Sequence, residues 1–355
     1  IHLQQKFHNY SVAGLAIAAS TVGGAVSAPI LGRWMAKFGI RPIILTGTLC
    51  TPVFMLAIGF FPISESFAIA MSLLLGLAYP PIQPAARAVY PTLVETEKLR
   101  NAIYSIDAIL QEVIWIVGPV LATLLIAFTN TETPIVFMAV IQLTGGLWFV
   151  TLHKVHSAPI PRSSRRLGSV LKSKLVVVMV VINLLFVGSF AALEIGVVAA
   201  LGKKEAGFVI AMLSIGSVLG GLIFGHRIKT SAALTKQLAV VLIGDLLIFF
   251  NATDAYWLAV CLFISRIGVA TAFATIGAVI GKAIRLDDTT EVYGWIGAGQ
   301  NIGYGMGAAI AGFVVDHLSS THSFGLASIL DAVAMLVAFA AIAITPGFYD
   351  KAKEE

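Results

Sequence analysis

Seven charged side chains stand inside long apolar runs of this sequence: Arg87, Asp107, Glu112, Glu194, Asp245, Arg266 and Asp331. A charge at the centre of a lipid bilayer costs roughly 2.5–3.5 kcal/mol on insertion scales, so such residues are candidates for function. The chemistry open to them is narrow. A buried carboxylate can load and release a proton as its access to water alternates, because desolvation disfavours the charged form. A carboxylate beside a guanidinium can staple two helices or hold a polar solute. The seven histidines (His2, His8, His153, His156, His226, His317 and His322) all fall at the edges of apolar runs or between them, so coupling by a histidine relay is not expected. No nucleophile–base pair, metal-ligand spacing or phosphate-binding loop is apparent, so no enzyme, metal, cofactor or ATP-driven step is expected.

Spacing sorts these groups. Arg87 and Asp107 lie at similar depth on successive apolar segments, which suggests a salt bridge, either a staple or a contact for substrate or ion. Glu112 is five residues from Asp107, about 140° around a helix, so the two cannot share a face. Tyr104, Asp107 and Gln111 do share one. Glu112 falls near mid-membrane beside Trp115. It is a proton carrier if it faces a cavity and a packed, hydrogen-bonded acid otherwise. Glu194 has no cation near it in sequence. Asp245 and Arg266 could pair. Tyr293, Gly297, Gln300 and Tyr304 recur on one face of a glycine-rich segment, "EVYGWIGAGQNIGYGMGAAIAG", which suits either close helix packing or a polar lining. Tyr79 and Gln83 sit among Pro80, Pro81 and Pro84, which can bend their helix. The expected substrate or proton pathway is therefore Gln83, Arg87, Asp107, Glu112, Glu194, Arg266, Gln300, Asn301 and Tyr304.

The elements that must position these residues are membrane helices. The chain has 355 residues, 58% hydrophobic and 12% charged, where a soluble domain carries about 25% charge. Eleven apolar segments are long enough to cross a bilayer, at about 10–32, 42–61, 66–90, 101–128, 134–152, 174–201, 206–225, 235–251, 256–282, 289–315 and 322–346. They lack the period of two expected of barrel strands. Turn chemistry separates them in "PISES", "TNTETP", "LGKKE" and "NATDAY". Cys50 and Cys261 lie inside apolar runs as packing residues. The net charge of +5 does not mark a nucleic-acid partner, because the cations lie between apolar runs and form no basic face.

Those cations set the expected orientation. Alternate gaps hold only Lys6, Lys203 and Lys204 on one side and eighteen of the 23 cations on the other, which is therefore expected to be cytoplasmic, with the C-terminus inside. The stretch "APILGRWMAKFGIRPIIL" puts Arg33, Lys37 and Arg41 in one such gap with no acid, as a short loop anchored at the inner leaflet. An internal repeat relates "TVGGAVSAPILGR" to "SIGSVLGGLIFGH" at an offset of 193, matching Gly23 with Gly216 and Gly32 with Gly225. The offset spans six segments and leaves the segment starting near Lys174 without a mate, so a helix preceding Ile1 is expected to complete a six-plus-six plan. The basic stretch 153–174 reads as a linker between a 1–152 bundle and a 175–355 bundle.

With these features the chain resembles the major facilitator superfamily (MFS), bacterial transporters included, over essentially its whole length. The family's loop signature G-x-L-a-D-R-x-G-R-K aligns with "GRWMAKFGIR", keeping Gly32, Lys37, Gly39 and Arg41, with Arg33 following Gly32 and Ala36 at the acidic position. In the family that Asp helps latch the two halves in one state. A second signature, typical of exporters, aligns with "IWIVGPVLAT" and keeps Gly118 and Pro119. The resemblance implies an all-α fold of two six-helix bundles with pseudo-twofold symmetry, eleven of the twelve helices being present. It places Glu194 on the seventh helix, which commonly lines the cavity. It implies a monomer in the lipid bilayer of the bacterial cytoplasmic membrane, moving a small-molecule substrate by alternating access with protons as the coupling ion, in the manner of a drug or metabolite exporter. The alternatives are a facilitator or importer of small polar solutes and a transport-inactive interaction subunit.

Overall fold

A chain this apolar satisfies its backbone hydrogen bonds within helices, since lipid offers no partners. The computed structural model describes residues 2–7, 10–61, 64–156, 166–224 and 232–344. Its helices are α1 (His2–Phe7), α2 (Tyr10–Phe38), α3 (Ile40–Phe60), α4 (Glu65–Ala78), α5 (Ile82–Leu93), α6 (Glu97–Phe128), α7 (Thr133–Thr151), α8 (His153–His156), α9 (Lys174–Phe224), α10 (Ala233–Leu247), α11 (Ala255–Ala283), α12 (Thr289–His317) and α13 (Ser320–Ile344). Among the described residues there is no strand. Local chemistry sets several boundaries. Ser64 accepts from the Phe67 N–H at 3.2 Å to open α4, and Asp254 accepts from the Trp257 N–H at 2.6 Å to open α11.

Among the described residues, eight helical spans are long and apolar enough to cross a membrane. The expected segment at 289–315 is helical, as α12, but falls outside that set because Gln300, Asn301 and its glycines dilute its apolar character. Three boundaries differ from the sequence reading. The expected 66–90 helix is broken between α4 and α5, because Pro80 and Pro81 cannot donate backbone hydrogen bonds there. The expected turn at "LGKKE" is helical, within the continuous 51-residue run of α9, since Lys, Glu and Ala favour helix and no proline interrupts them. The expected loop at 33–41 shrinks to Gly39 alone, whose φ of 95° lets α2 end and α3 begin without the strain a Cβ would bring.

The chain forms two compact units, residues 1–93, 118–170 and 285–301 in the first and residues 94–117, 171–284 and 302–355 in the second. In the first, α2 and α4 approach closely through glycine. A Cβ on Gly23 would meet the Leu73 carbonyl, and one on Gly76 would meet the Ser20 carbonyl. Met35, Ile40, Ile44, Ala85, Val89 and Val150 form a buried cluster. In the second, a Cβ on Gly216 of α9 would meet the Phe263 carbonyl of α11, and one on Gly220 the Ile267 carbonyl. The repeat-matched glycines Gly23 and Gly216 thus do the same job, each letting its helix approach a neighbour's backbone. Gly225, the mate of Gly32, lies outside the described residues, as do 157–165 of the expected linker. Exposed apolar side chains such as Trp148, Phe128, Phe250 and Leu336 give the molecule a surface suited to lipid rather than water.

Candidate functional site

The residues expected to form the cation-rich loop do not behave alike. Lys37 is exposed at the end of α2, 5.1 Å from the Phe38 ring centroid, and Arg41 is exposed in the first turn of α3. Arg33 is buried. Its Nη1 lies 3.4 Å from Glu291 Oε2 and 3.8 Å from Asp288 Oδ1, at the start of α12. Glu291 Oε1 also accepts from the Gly168 N–H at 2.7 Å and from Trp295 Nε1 at 3.4 Å. The neighbouring backbone fits this pairing. Thr290 donates to the Gly32 carbonyl at 2.8 Å, and Gly32 and Gly294 leave no room for a Cβ between α2 and α12. Two acids in the region of α12's first turn suit the positive end of a helix. Reading Arg33 as a surface anchor is therefore corrected. Asp288 and Glu291, which the sequence reading did not single out, are its partners; the acidic run "DDTTE" at a helix start was the available signal.

In the same unit, the Arg87 guanidinium lies 5.7 Å from the centroid of the Tyr293 ring, and both side chains are buried. Gln83, one turn before Arg87 on α5, is half-buried, as is Gln300 on α12. Asn301 is exposed, with its Nδ2 beside Gly24 of α2. A Cβ added at Gly297 would meet nothing within 4 Å. The expected polar face of α12 is thus divided: Tyr293 packs, Gln300 is half-buried and position 297 is open.

In the second unit the structure brings together two expected residues. Tyr304 of α12 donates to Glu194 Oε2 of α9 at 2.8 Å, and the pair is accessible. Close packing of these helices supports the contact, since Gly303 and Gly307 lie directly against the Leu184 and Gly188 carbonyls. Tyr104 is buried against Gly277 and Gly281 of α11, and Asp107, one turn on, is half-buried. Glu112 belongs to the α6 backbone; its side chain lies outside the described residues.

Arg266 stands elsewhere in this unit. Its guanidinium carbon is 3.8 Å from the Phe190 ring centroid, within an aromatic group of Phe186, Phe190 and Phe273. Asp245 of α10 faces the carboxyl of Asp331 on α13 at hydrogen-bonding range, and Arg266 acts on both acids through its charge rather than through the expected ion pair with Asp245. Ser189 of α9 donates to Asp331 Oδ1 at 2.8 Å. Asp245 and Asp331 have no solvent exposure. A cleft of about 400 Å³ lined by Phe60, Asn130, Glu132, Thr133, Val136 and Phe137 contains none of the expected site residues.

The family model described as the Major Facilitator Superfamily matches residues 1–244 and 237–354. The chain belongs to the major facilitator superfamily. Solved MFS structures agree in fold. A bacterial homologue of the iron transporter ferroportin, outward-facing, superposes with a TM-score of 0.77 at 14% identity, covering 96% of this chain and 93% of that one. The human organic anion transporter MFSD10 (TETRAN) gives 0.71 at 17% identity, covering 92% and 83%. The proton:xylose symporter XylE, bound to 6-bromo-6-deoxy-D-glucose, gives 0.69 at 12% identity, covering 93% and 86%. No curated protein matches in sequence. Membership makes this a multi-pass membrane protein of a transporter family. Within the MFS loop signature, Ala36 at the acidic position is buried, and the buried charge is carried by Arg33.

Proposed function

We propose that this MFS protein is a secondary active transporter that exports a small organic solute by alternating access, in exchange for protons. It works as a monomer in a bacterial cytoplasmic membrane with its C-terminus inside. In this reading residues 1–152 and 175–355 are the two bundles, joined by 153–174. Glu112 and Glu194 are carboxylates of the pathway, and Gln83, Arg87, Asp107, Arg266, Gln300, Asn301 and Tyr304 contribute polar contacts.

The observation that carries this reading is the Glu194–Tyr304 hydrogen bond. A carboxylate placed in a membrane helix, accessible, and held by a phenol from another helix can accept a proton or a solute's donor without unfolding its surroundings. The loop at Gly32, Arg33, Lys37, Gly39 and Arg41 then acts as the conformational latch, with polarity reversed: the cation Arg33 faces the acids Asp288 and Glu291 where the family pattern places an Asp at position 36. Everted vesicles with an imposed pH gradient test the proposal. Solute accumulation that collapses with the gradient supports it, whereas solute movement indifferent to the gradient supports a facilitator instead.

A further inference from the structure

The buried acids of α10 and α13 form a group apart from the accessible Glu194–Tyr304 pair. We propose that Asp245 and Asp331, with Arg266 beside them, form a binding site for a single exchangeable proton, the coupling proton of transport. This deepens the proton-exchange reading and rests on it.

Charge balance fixes the number. Two ionised carboxylates side by side in a dry interior repel strongly, and one guanidinium offsets only one of them. With both carboxyls protonated, Arg266 would be a buried cation with no counter-charge. One proton shared between the carboxyls leaves one negative charge against Arg266 and supplies the donor that their contact lacks. The groups facing the pair are few. Among the described residues, Arg266, Ser265 and Cys261 come from α11, the Ser189 hydroxyl comes from α9, and α10 and α13 supply the two acids.

The network is also open. Oδ2 of Asp331 and Nε of Arg266 are buried without a hydrogen-bond partner, and Asp245, with no solvent exposure, has Ser265 and the Asp331 carboxyl at hydrogen-bonding range. A purely structural buried network is expected to be closed, because each unmet group is costly in a low-dielectric interior. A proton on one carboxyl is the donor that the contact between the two acids requires. A metal cation fits poorly, since the charge of Arg266 already acts on the carboxylates and hard cations prefer a fuller shell of oxygens.

The test uses the purified full chain in detergent, read by potentiometric proton counting and by the infrared band of protonated carboxyl groups. D245N and D331N should each remove one bound proton and one such band. Both should keep thermal stability close to that of the parent, because the amide stands in for the protonated acid. The double variant D245N/D331N should be much less stable, since it strands Arg266. R266Q should take up a second proton. In vesicles, D245N should retain solute exchange and lose gradient-driven accumulation. An unchanged proton count and band in both single variants would overturn the site. So would stabilisation by sodium or lithium chloride beyond that given by choline chloride. Full gradient-driven accumulation by D245N would overturn the coupling role. Absence of gradient-driven transport in the parent chain would instead defeat the exchange reading and its coupling role, while the proton count still reports separately on the site.

Discussion

Arg33 Nη1 lies 3.4 Å from Glu291 Oε2, with the side chains only 6% and 0% exposed. A buried ion pair is a poor source of net stability, but removing one partner is expensive because the other charge stays buried and uncompensated. R33M and E291M should therefore each destabilise the protein by about 3 kcal/mol. A combined R33M/E291M variant should recover much of the loss. Thermal unfolding of the four proteins as a double-mutant cycle gives the coupling directly, and strictly additive effects would argue against the pair.

Tyr304 and Glu194 predict a different balance. Their hydrogen bond is accessible, so Y304F should change stability by no more than about 1 kcal/mol. Its effect should fall on transport. Reconstituted Y304F and E194Q should both lose gradient-driven solute movement, and retention of parental rates by both would remove the pair from the pathway.

The glycine contacts make a sharp comparison along one helix. G23A drives a methyl into the Leu73 carbonyl of α4, and G216A does the same against Phe263 of α11. Each should cost about 1–3 kcal/mol, the usual penalty for overpacking. G24A meets nothing closer than Asn301 Nδ2 at 3.6 Å and should be tolerated. Equal melting temperatures for G23A and G24A would contradict the packing.

His2 predicts a pH effect. Its Nδ1 lies 2.9 Å from Thr131 Oγ1 and 3.7 Å from Glu132 Oε1. Burial pushes the imidazole below its ordinary value of 6.5, with Glu132 opposing the shift. The unfolded chain then binds the proton more readily than the folded one. Stability should be complete above pH 6.5, fall as the pH drops below it, and level off below the folded value. Comparing melting curves of H2Q and the parent across this range checks the sign: the variant should show less acid loss.

Much of the architecture was legible because apolar runs and their breaks report directly on helices. The match of Gly23 with Gly216 carried further, since close backbone approach leaves few residues other than glycine. Glu194 and Tyr304 were both expected in the pathway, although their direct contact depends on how α9 and α12 pack. The burial of Arg33 was not legible, because a cation beside an apolar run is already explained by charge placement across a membrane, and its partners lie far along the chain. The break at Pro80 was foreseen only as a bend. The turn expected at "LGKKE" failed because charge marks polarity, and Lys and Glu are also good helix formers. Asp331 was legible as a charge within an apolar run, but its partner was not, since nothing near it in sequence is charged and only the fold sets it against Asp245.

The most direct test of proton-coupled transport is a flux measurement in proteoliposomes loaded with a pH-sensitive dye. Candidate solutes are added outside and internal pH is followed. The account predicts that a transported solute drives an opposing proton movement, read as a change in internal pH that E194Q abolishes and a protonophore dissipates. Solute entry with no accompanying change in internal pH would contradict it.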